Sequence, residues 1–596
     1  MDLTAILFPV FTLLGGLAFF LYGMNVMSSG LEKLAGGKLE KTLKKMTSNK
    51  LAAMGLGAGI TIAIQSSSAL TVMLVGLVNS GIMALEQTVG VIFGSNIGTT
   101  LTAWILSLAG IEGGGNIFLE LLKPKNFSPI VALIGIIFIM MAKSTKKKDI
   151  GSIMVGFAVL MFGMTLMGDA VEPLGAEENI GAFKEFISIF NNPLVGVAVG
   201  AIFTGIIQSS AASVGILQTL AIQTGAITYN MVLPIVMGQN IGTCVTSLIS
   251  SIGVTKNAKR VAAVHILFNL IGTVVCLLIY YPVYLLFDVA FFDAAADGQG
   301  IALCHTVFNL FTTALLVPFS SLLVKLAKLF VPDAKGEEKK SFIDERLLNT
   351  PTFALAECDS LTVKMAKLAK ETFIKATKNV QRAETTGNFD EALSEQIRAD
   401  EKMLDKYEDK LGSFLVKISS KDLSDADSKE VSKLLHTIGD FERIGDHALN
   451  LLGVAKEISD KGISFSEQAR EELKSLSAAL EEIITITVTA FEENNLDLAK
   501  DVEPLEQVVD RLTAQIKMNH ITRLQKGDCT IELGFVLSDL LNNFERVSDH
   551  CSNVAVAMIE VAHNSFDTHK YLRNVKSESN ADFSERYNEY AIKYKL

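Results

Sequence analysis

The sequence predicts an all-α fold in two parts: a polytopic membrane domain with inverted repeats and re-entrant helical hairpins, then a soluble helical bundle. Up to about Leu329 charges are scarce, and apolar runs approach or exceed the ~20 residues that cross a ~30 Å hydrocarbon core. From about Ala334 to Leu596 the chain is rich in Glu, Asp and Lys at helical spacing, with few Gly and Pro. The third observation is a polar phrase that occurs twice inside the apolar part. Gln65-Ser66-Ser67-Ser68 is followed by Gly94-Ser95-Asn96-Ile97-Gly98-Thr99, and Gln208-Ser209-Ser210 by Gly238-Gln239-Asn240-Ile241-Gly242-Thr243. A polar group left unpaired in lipid is costly, so such a cluster needs a partner or a ligand.

These patterns divide the chain into a membrane domain over 1-330, a linker over 331-349, a helical domain over 350-570 and a tail over 571-596. The net charge of -11 belongs mostly to the second half, where it serves solubility and gives no reason to expect nucleic acid. The six cysteines are dispersed without a CxxC pair, which points to reduced thiols. No cleavable leader is expected, because Met1-Asp2 lacks a basic n-region and the first apolar stretch has no small-residue cleavage site.

Orientation follows from the loops. Lys33, Lys38, Lys41, Lys44, Lys45 and Lys50 follow the first span; Lys143, Lys146, Lys147 and Lys148 follow a span near 128–142; Lys256, Lys259 and Arg260 follow the second polar phrase. The positive-inside rule places these loops in the cytoplasm of a cell whose inner membrane holds the chain. The opposite loops carry Asp169, Glu172, Glu177 and Glu178, or Asp288, Asp293 and Asp297.

The duplication extends beyond its polar phrase. Gly16-Leu17-Ala18-Phe19-Phe20-Leu21-Tyr22-Gly23-Met24 is similar to Gly156-Phe157-Ala158-Val159-Leu160-Met161-Phe162-Gly163-Met164, so the unit runs over about 15–110 and again over 155–253, with further helices over 261–325. The first copy enters its phrase from a lysine-rich loop and the second from an acidic one, so the copies are expected to be inverted. Gly55–Ile64 and Gly196–Ile207 are too short and glycine-rich for complete spans and read as first limbs of re-entrant hairpins with tips in mid-membrane. After each tip, Ser66 to Ser68 and Ser209 to Ser210 begin a new helix, whose unpaired N–H groups and positive dipole end suit an oxyanion. A single Ser-rich step would simply join helices; duplication beside a second paired phrase sets this one apart.

Between Leu51 and Gly110 the only ionisable acid or base is Glu86, read as interfacial, and between Pro193 and Thr255 there is none. A bound anion would be met by helix N-termini, hydroxyl and amide donors and co-bound cations, while Thr, Ser, Asn and Gln oxygens suit a hard cation such as sodium. A neutral shell of this kind suits coupled transport of an anion and a cation. Trp104 reads as packing, and the His265/Asn269 and His305/Asn309 pairs read as interhelical bonds on one helix face.

The paired phrases resemble those of the type II sodium-dependent phosphate cotransporters and their bacterial relatives, over roughly residues 10–325 and including His265-Ile266-Leu267-Phe268-Asn269 and His305-Thr306-Val307-Phe308-Asn309. The resemblance implies a polytopic sodium:phosphate symporter. It assigns phosphate to Gln65, Ser66, Ser67, Ser68, Gln208, Ser209 and Ser210, and sodium to Ser67, Asn96, Thr99, Thr100, Ser210, Asn240 and Thr243. The second copy departs in having Ala211 for Ser68 and Cys244 for Thr100, which sets the two half-sites apart.

The helical half carries its own duplication. Phe441-Glu442-Arg443-Ile444-Gly445-Asp446-His447 matches Phe544-Glu545-Arg546-Val547-Ser548-Asp549-His550, each preceded by another acidic pair, Glu401 with Asp405 and Glu506 with Asp510. Carboxylates four apart share a helix face, and opposed faces can collect a metal. This half resembles the PhoU domain, a phosphate-signalling helical repeat, which implies structural divalent or iron cations on these eight acids and phosphate-signalling proteins as partners. The expected partners are thus inorganic phosphate, sodium, the lipid bilayer and a candidate second copy in a homodimer. No catalytic nucleophile, P-loop or zinc signature marks an enzyme or an ATP-driven pump. Two other readings fit the same residues, a phosphate exporter of the same fold and a membrane-anchored phosphate sensor.

Overall fold

The computed structural model describes residues 3–35, 49–81, 83–110, 123–287, 289–333, 342–421, 423–563 and 581–596. Lys38, Lys41, Lys44, Lys45, Asp288, residues 334–341 of the expected linker and 571–580 of the expected tail lie outside them. The chain divides into two compact units, Met1–Phe353 and Ala354–Leu596. All named elements among the described residues are helices.

In the first unit, α1 (Leu3–Ala35) is followed by α2 (Lys50–Ile64), α3 (Ser67–Asn79) and α4 (Leu85–Ser107). Next come α5 (Pro124–Met141), α6 (Thr145–Val171), α7 (Ile180–Ile187), α8 (Pro193–Ile207), α9 (Ser210–Thr224), α10 (Tyr229–Gly242) and α11 (Cys244–Ser250). After these come α12 (Lys256–Leu286), α13 (Gly298–Leu316) and the short α14 (Ser320–Phe330). Six stretches are long and apolar enough to cross a membrane: Leu7–Leu34, Leu85–Gly110, Thr145–Gly175, Tyr229–Ser250, Lys256–Leu286 and Gly298–Leu316. The stretch read as a span near 128–142 is the shorter α5, which lies along α6 where Gly135 and Gly151 each face the other's carbonyl.

Helices α1 and α6 run antiparallel, brought together by glycines. A Cβ on Gly16 would meet the Gly163 carbonyl and one on Gly23 the Gly156 carbonyl, while Gly156 and Gly163 face the carbonyls of Gly23 and Gly16 in return. Gly16 corresponds to Gly156 in the repeat and Gly23 to Gly163, so equivalent residues exchange contacts as they do across a two-fold axis. The same duplication holds α2 to α4 and α8 to α10. Gly94 and Gly98 face the carbonyls of Met54 and Ala58; Gly238 and Gly242 face those of Val197 and Ala201. This is the physical use of the two glycines in each Gly-x-Asn-Ile-Gly-Thr phrase, since any side chain there would push the helices apart.

Helices α2 and α3 form one hairpin and α8 and α9 the other. α2 and α8 have 15 residues each, about 22 Å of helix, less than a ~30 Å core requires. The first hairpin returns to the lysine-bearing end of α12, where the Thr255 N–H donates to Asn79 Oδ1 at 2.9 Å. The second returns to the other end: just after α9, Thr228 pairs with Ala295, beyond the C-terminus of α12. Glu86 lies at the first of these ends, paired with Lys328 at 3.1 Å with both side chains about half exposed.

The second unit holds α15 (Pro351–Thr386), whose first residues belong to the first unit, α16 (Glu391–Ser419), α17 (Asp425–Lys461), α18 (Glu467–Glu493), α19 (Val502–Lys526), α20 (Ile531–His563) and α21 (Ala581–Lys593). Its core includes Phe373, Phe441, Phe491 and Phe544, all almost fully buried. Phe441 meets Phe491 edge-on and Phe373 meets Phe544, so the matched aromatic residues of the two copies both anchor the core. A buried bidentate pair, Arg523 with Glu472 at 2.9 Å, ties α19 to α18.

Glu384 gives this unit a pH dependence. Its Oε1 is buried without a partner, and burial raises its carboxyl to about 7, against the opposing pull of Arg470. A raised carboxyl favours the neutral folded form, so its contribution is full below the unfolded value of about 4.5 and is lost as pH rises through about 7. Glu384→Gln is expected to flatten that decline, by roughly 2 kcal/mol between pH 4.5 and 8 after allowance for solvent screening. Denaturant titration of the wild type and variant across this range, with chelator present, checks it; parallel curves would refute the assignment.

Candidate substrate site

The two hairpin tips have the same unusual backbone. Gln65 and Gln208 end their first limbs in the left-handed region, at φ 55° and 58°, and are two of the three non-glycine residues with positive φ among the described residues. Ser66 and Ser209 then adopt extended backbone and cap the second limbs, their hydroxyls accepting from the amides of Ala69 at 3.1 Å and Ala212 at 3.2 Å. A left-handed glutamine costs of order 1–3 kcal/mol, and the same strain at both tips makes them candidates for a functional site. The spacing of Gln and Ser showed a turn; the left-handed step lay beyond what it shows.

Both tips line one cavity of about 200 Å³. Gln65, Ser66, Ser67, Ser68, Gln208, Ser209 and Ser210, all assigned to phosphate from the sequence, border it together. Of the residues assigned to sodium, Ser67, Thr99 and Ser210 border it, whereas Asn96, Thr100, Asn240 and Thr243 are buried and do not border it. The Asn96 and Asn240 amides donate to the carbonyls of Ile92 and Val236, and the Thr100 and Thr243 hydroxyls to those of Ile97 and Asn240. The remaining lining is Met24, Asn25 and Ser28 of α1, Thr61, Thr102 and Ala211. The sequence reading passed over these, although Asn25 and Ser28 were visible as polar residues one turn apart in the first span.

No lining residue is charged, and the first turns of α3 and α9 both open onto the space. Each helix begins with N–H groups that have no intrahelical acceptor, and each serine cap satisfies one of them. The cavity therefore offers an anion two positive helix ends and serine hydroxyls, and offers a cation hydroxyl and amide oxygens.

The copies differ in how they are braced. In the first, Gln65 donates to the Ile62 carbonyl at 2.7 Å and accepts from Thr102 Oγ1 at 2.9 Å, and Thr61 donates to Ser95 Oγ at 2.9 Å. In the second, Gln239 stands in place of Ser95, and Thr204 turns to Ser213 Oγ at 2.8 Å. Cys244, in place of Thr100, accepts from Asn269 Nδ2 at 3.3 Å, and His265 Nδ1 pairs with Ser247 Oγ at 2.8 Å. These bonds are the interhelical role expected for His265 and Asn269. Trp104, read as packing, also donates to Thr306 Oγ1 at 3.0 Å.

In the second unit the acidic pairs converge. Glu401 and Asp405 of α16 meet Asp446 of α17, and Glu506 and Asp510 of α19 meet Asp549 of α20, each group holding its ligand oxygens within 4.8 Å of one another. Glu442 and Glu545 stand outside these groups. Burial, and next Asp446, Asp405 and Glu408, raise the Glu442 carboxyl to about 7, while Glu545 accepts from Lys517 at 3.3 Å. Burial and then Asp405 and Asp446 also raise Glu401.

A membrane unit built from two like halves, with paired half-helix tips around one uncharged cavity, is the architecture of a secondary transporter. Residues 19–169 and 179–284 match the model of the Na+/Pi-cotransporter family, and 362–454 and 473–558 that of the PhoU domain. The membrane unit belongs to the Na+/Pi-cotransporter family, and a PhoU domain follows it in the sequence. A Salmonella typhimurium protein with the provisional name inorganic phosphate export protein YjbB is 24% identical over 563 residues, covering 92% of this chain and 97% of its own. The rat sodium-dependent phosphate transport protein 2A is 37% identical over 99 residues, 16% of this chain and 15% of its own. The crystal structure of PhoU from Pseudomonas aeruginosa is similar at 21% identity, covering 36% of this chain and 98% of that one, with a TM-score of 0.33.

Proposed function

We infer that this protein moves inorganic phosphate across the cytoplasmic membrane, coupled to sodium, by alternating access between two inverted repeats. The single observation that carries the reading is the shared cavity: both Gln-Ser tips border one uncharged space with helix N-termini at its wall. In this reading the anion lies against Ser66–Ser68 and Ser209–Ser210, and sodium takes Ser67, Thr99 and Ser210 oxygens, with the buried Asn-Ile-Gly-Thr phrases shaping the wall. Reciprocal contacts between α1 and α6, and hairpins that return to opposite ends of α12, support the inversion. The lysine-bearing end, where α12 starts, faces the cytoplasm by the positive-inside rule. The PhoU domain then regulates transport or recruits phosphate-signalling partners from that side, with its acidic groups holding divalent or iron cations. We read no catalytic step.

A second reading reverses the direction. It is favoured by the relative named for phosphate export, which matches nearly its whole length to this chain. Radiolabelled phosphate flux in proteoliposomes, with sodium outside, inside or absent, tests both. Uptake that needs external sodium is expected for a symporter working inward, and efflux driven by internal phosphate for an exporter. Equal flux with and without sodium would remove the coupling, and flux no greater than that of empty vesicles would remove transport altogether.

A further inference from the structure

The segment just ahead of the PhoU domain is built into the transport site's support. Residues 343–350 belong to the membrane unit and carry three almost fully buried residues, Asp344, Leu347 and Thr350. Leu347 packs on α3 at Gly76, where a Cβ would meet its Cδ2 at 3.3 Å. Asp344 accepts from Asn79 Nδ2, at the end of the same helix, at 2.6 Å. The oxygen of the same amide, Asn79 Oδ1, accepts from the Thr255 N–H at the start of α12 at 2.9 Å. Arg346 holds Asp344 through Nη1 at 2.9 Å and reaches with Nη2 to the Ile252 carbonyl at 2.7 Å.

These bonds join three parts that transport must move relative to one another. Helix α3 is the second limb of the first hairpin, and its other end carries Ser67 and Ser68 in the cavity. Ile252 closes the second repeat, and Thr255 starts the helix that follows it. A buried carboxylate gripped by both an amide and a guanidinium is a strong, directional tie. Removing either partner leaves a buried polar group unsatisfied, so the tie resists partial opening. Alternating access requires one repeat to rock against the other around the bound substrate. A tie from α3 to the end of the second repeat opposes that rocking at the lysine-bearing face. Beside it lies a cavity of about 650 Å³, bordered by Asn79, Thr255, Arg260 and Asp333, so the tie stands at the rim of an opening.

We propose that residues 343–350 form an inhibitory clamp, which holds the two repeats together and which the PhoU domain, joined to it through α15, releases. The inference rests on the transport reading, and the test separates the two. In the full-length protein, Leu347→Ala and Asp344→Ala are compared with the wild type, with Asp344→Asn as a milder variant that keeps an acceptor for Asn79. Hydrogen exchange of amides 76–80 is expected to become about tenfold faster in both alanine variants while amides 221–225 keep their rates. Phosphate flux in proteoliposomes is expected to rise severalfold with an unchanged sodium concentration for half-maximal rate, and Asp344→Asn to fall between. Unchanged exchange at 76–80 would show that nothing is clamped. Faster exchange with unchanged or reduced flux would show that the segment only stabilises α3. If the wild type carries no flux at all, the transport reading fails, while the exchange arm still reports whether the tie exists.

Discussion

Ser67→Ala together with Ser210→Ala is expected to abolish saturable phosphate transport while leaving the protein folded. Both hydroxyls border the cavity at the first position of a second limb, one from each repeat. Neither is the cap: Ser66 and Ser209 keep that task, so helix starts α3 and α9 survive the change. A hydrogen bond to a charged group contributes about 1.5–3 kcal/mol, roughly a ten- to hundredfold loss in affinity for each hydroxyl removed. The double variant should therefore lose about two to four orders of magnitude in phosphate affinity, measured by equilibrium binding in detergent and by flux. Near-normal binding in the double variant, with an unchanged unfolding midpoint, would place the anion elsewhere.

The contrast with Gln65 sharpens that expectation. Gln65 was assigned to phosphate from its place in the motif, but its amide is already engaged with Ile62 and Thr102. Gln65→Ala would remove those braces from a left-handed residue, so its effect would mix folding with binding. Gln208 borders the same cavity, and its backbone N–H donates to the Thr204 carbonyl at 2.7 Å. The two tips are alike in backbone and unlike in bracing, as Ala211 for Ser68 and Cys244 for Thr100 led one to expect.

The hairpins were legible because lipid makes polar residues conspicuous: a Gln-Ser run inside a short, glycine-rich apolar stretch has few other uses. The close approach of Gly94 to Met54 and of Gly238 to Val197 was legible only as a preference for glycine, since the partner lies forty residues away. The 343–350 segment was hidden for a different reason. Asp344, Arg346 and Leu347 sit in a charged stretch that composition reads as linker, and only the fold shows that Asn79 waits for the carboxylate. In the second unit, the four-residue spacing placed each carboxylate pair on a helix face. Spacing alone left open which pairs meet, and Asp446 and Asp549 join the groups without Glu442 and Glu545.

That arrangement leads to the last expected result. Asp446→Asn with Asp549→Asn removes one charged ligand from each carboxylate group, and metal measured by elemental analysis of the purified full-length protein is expected to fall severalfold. All-oxygen donors within 4.8 Å suit a hard cation held at 2.0–2.6 Å, which rules out preference for a soft one. Metal present at a hundred times its dissociation constant stabilises the fold by about 2.7 kcal/mol, so chelator should lower the wild-type unfolding midpoint by several degrees and leave the variant's almost unmoved. The sign reverses without metal. Crowded carboxylates repel one another, as the Glu401 carboxyl reflects, raised first by burial and then by Asp405 and Asp446. Neutral asparagines relieve that repulsion, so the chelated variant should be the more stable of the two. A variant that is less stable than the wild type in chelator, or that keeps the wild-type metal content, would make these acids ordinary surface charge.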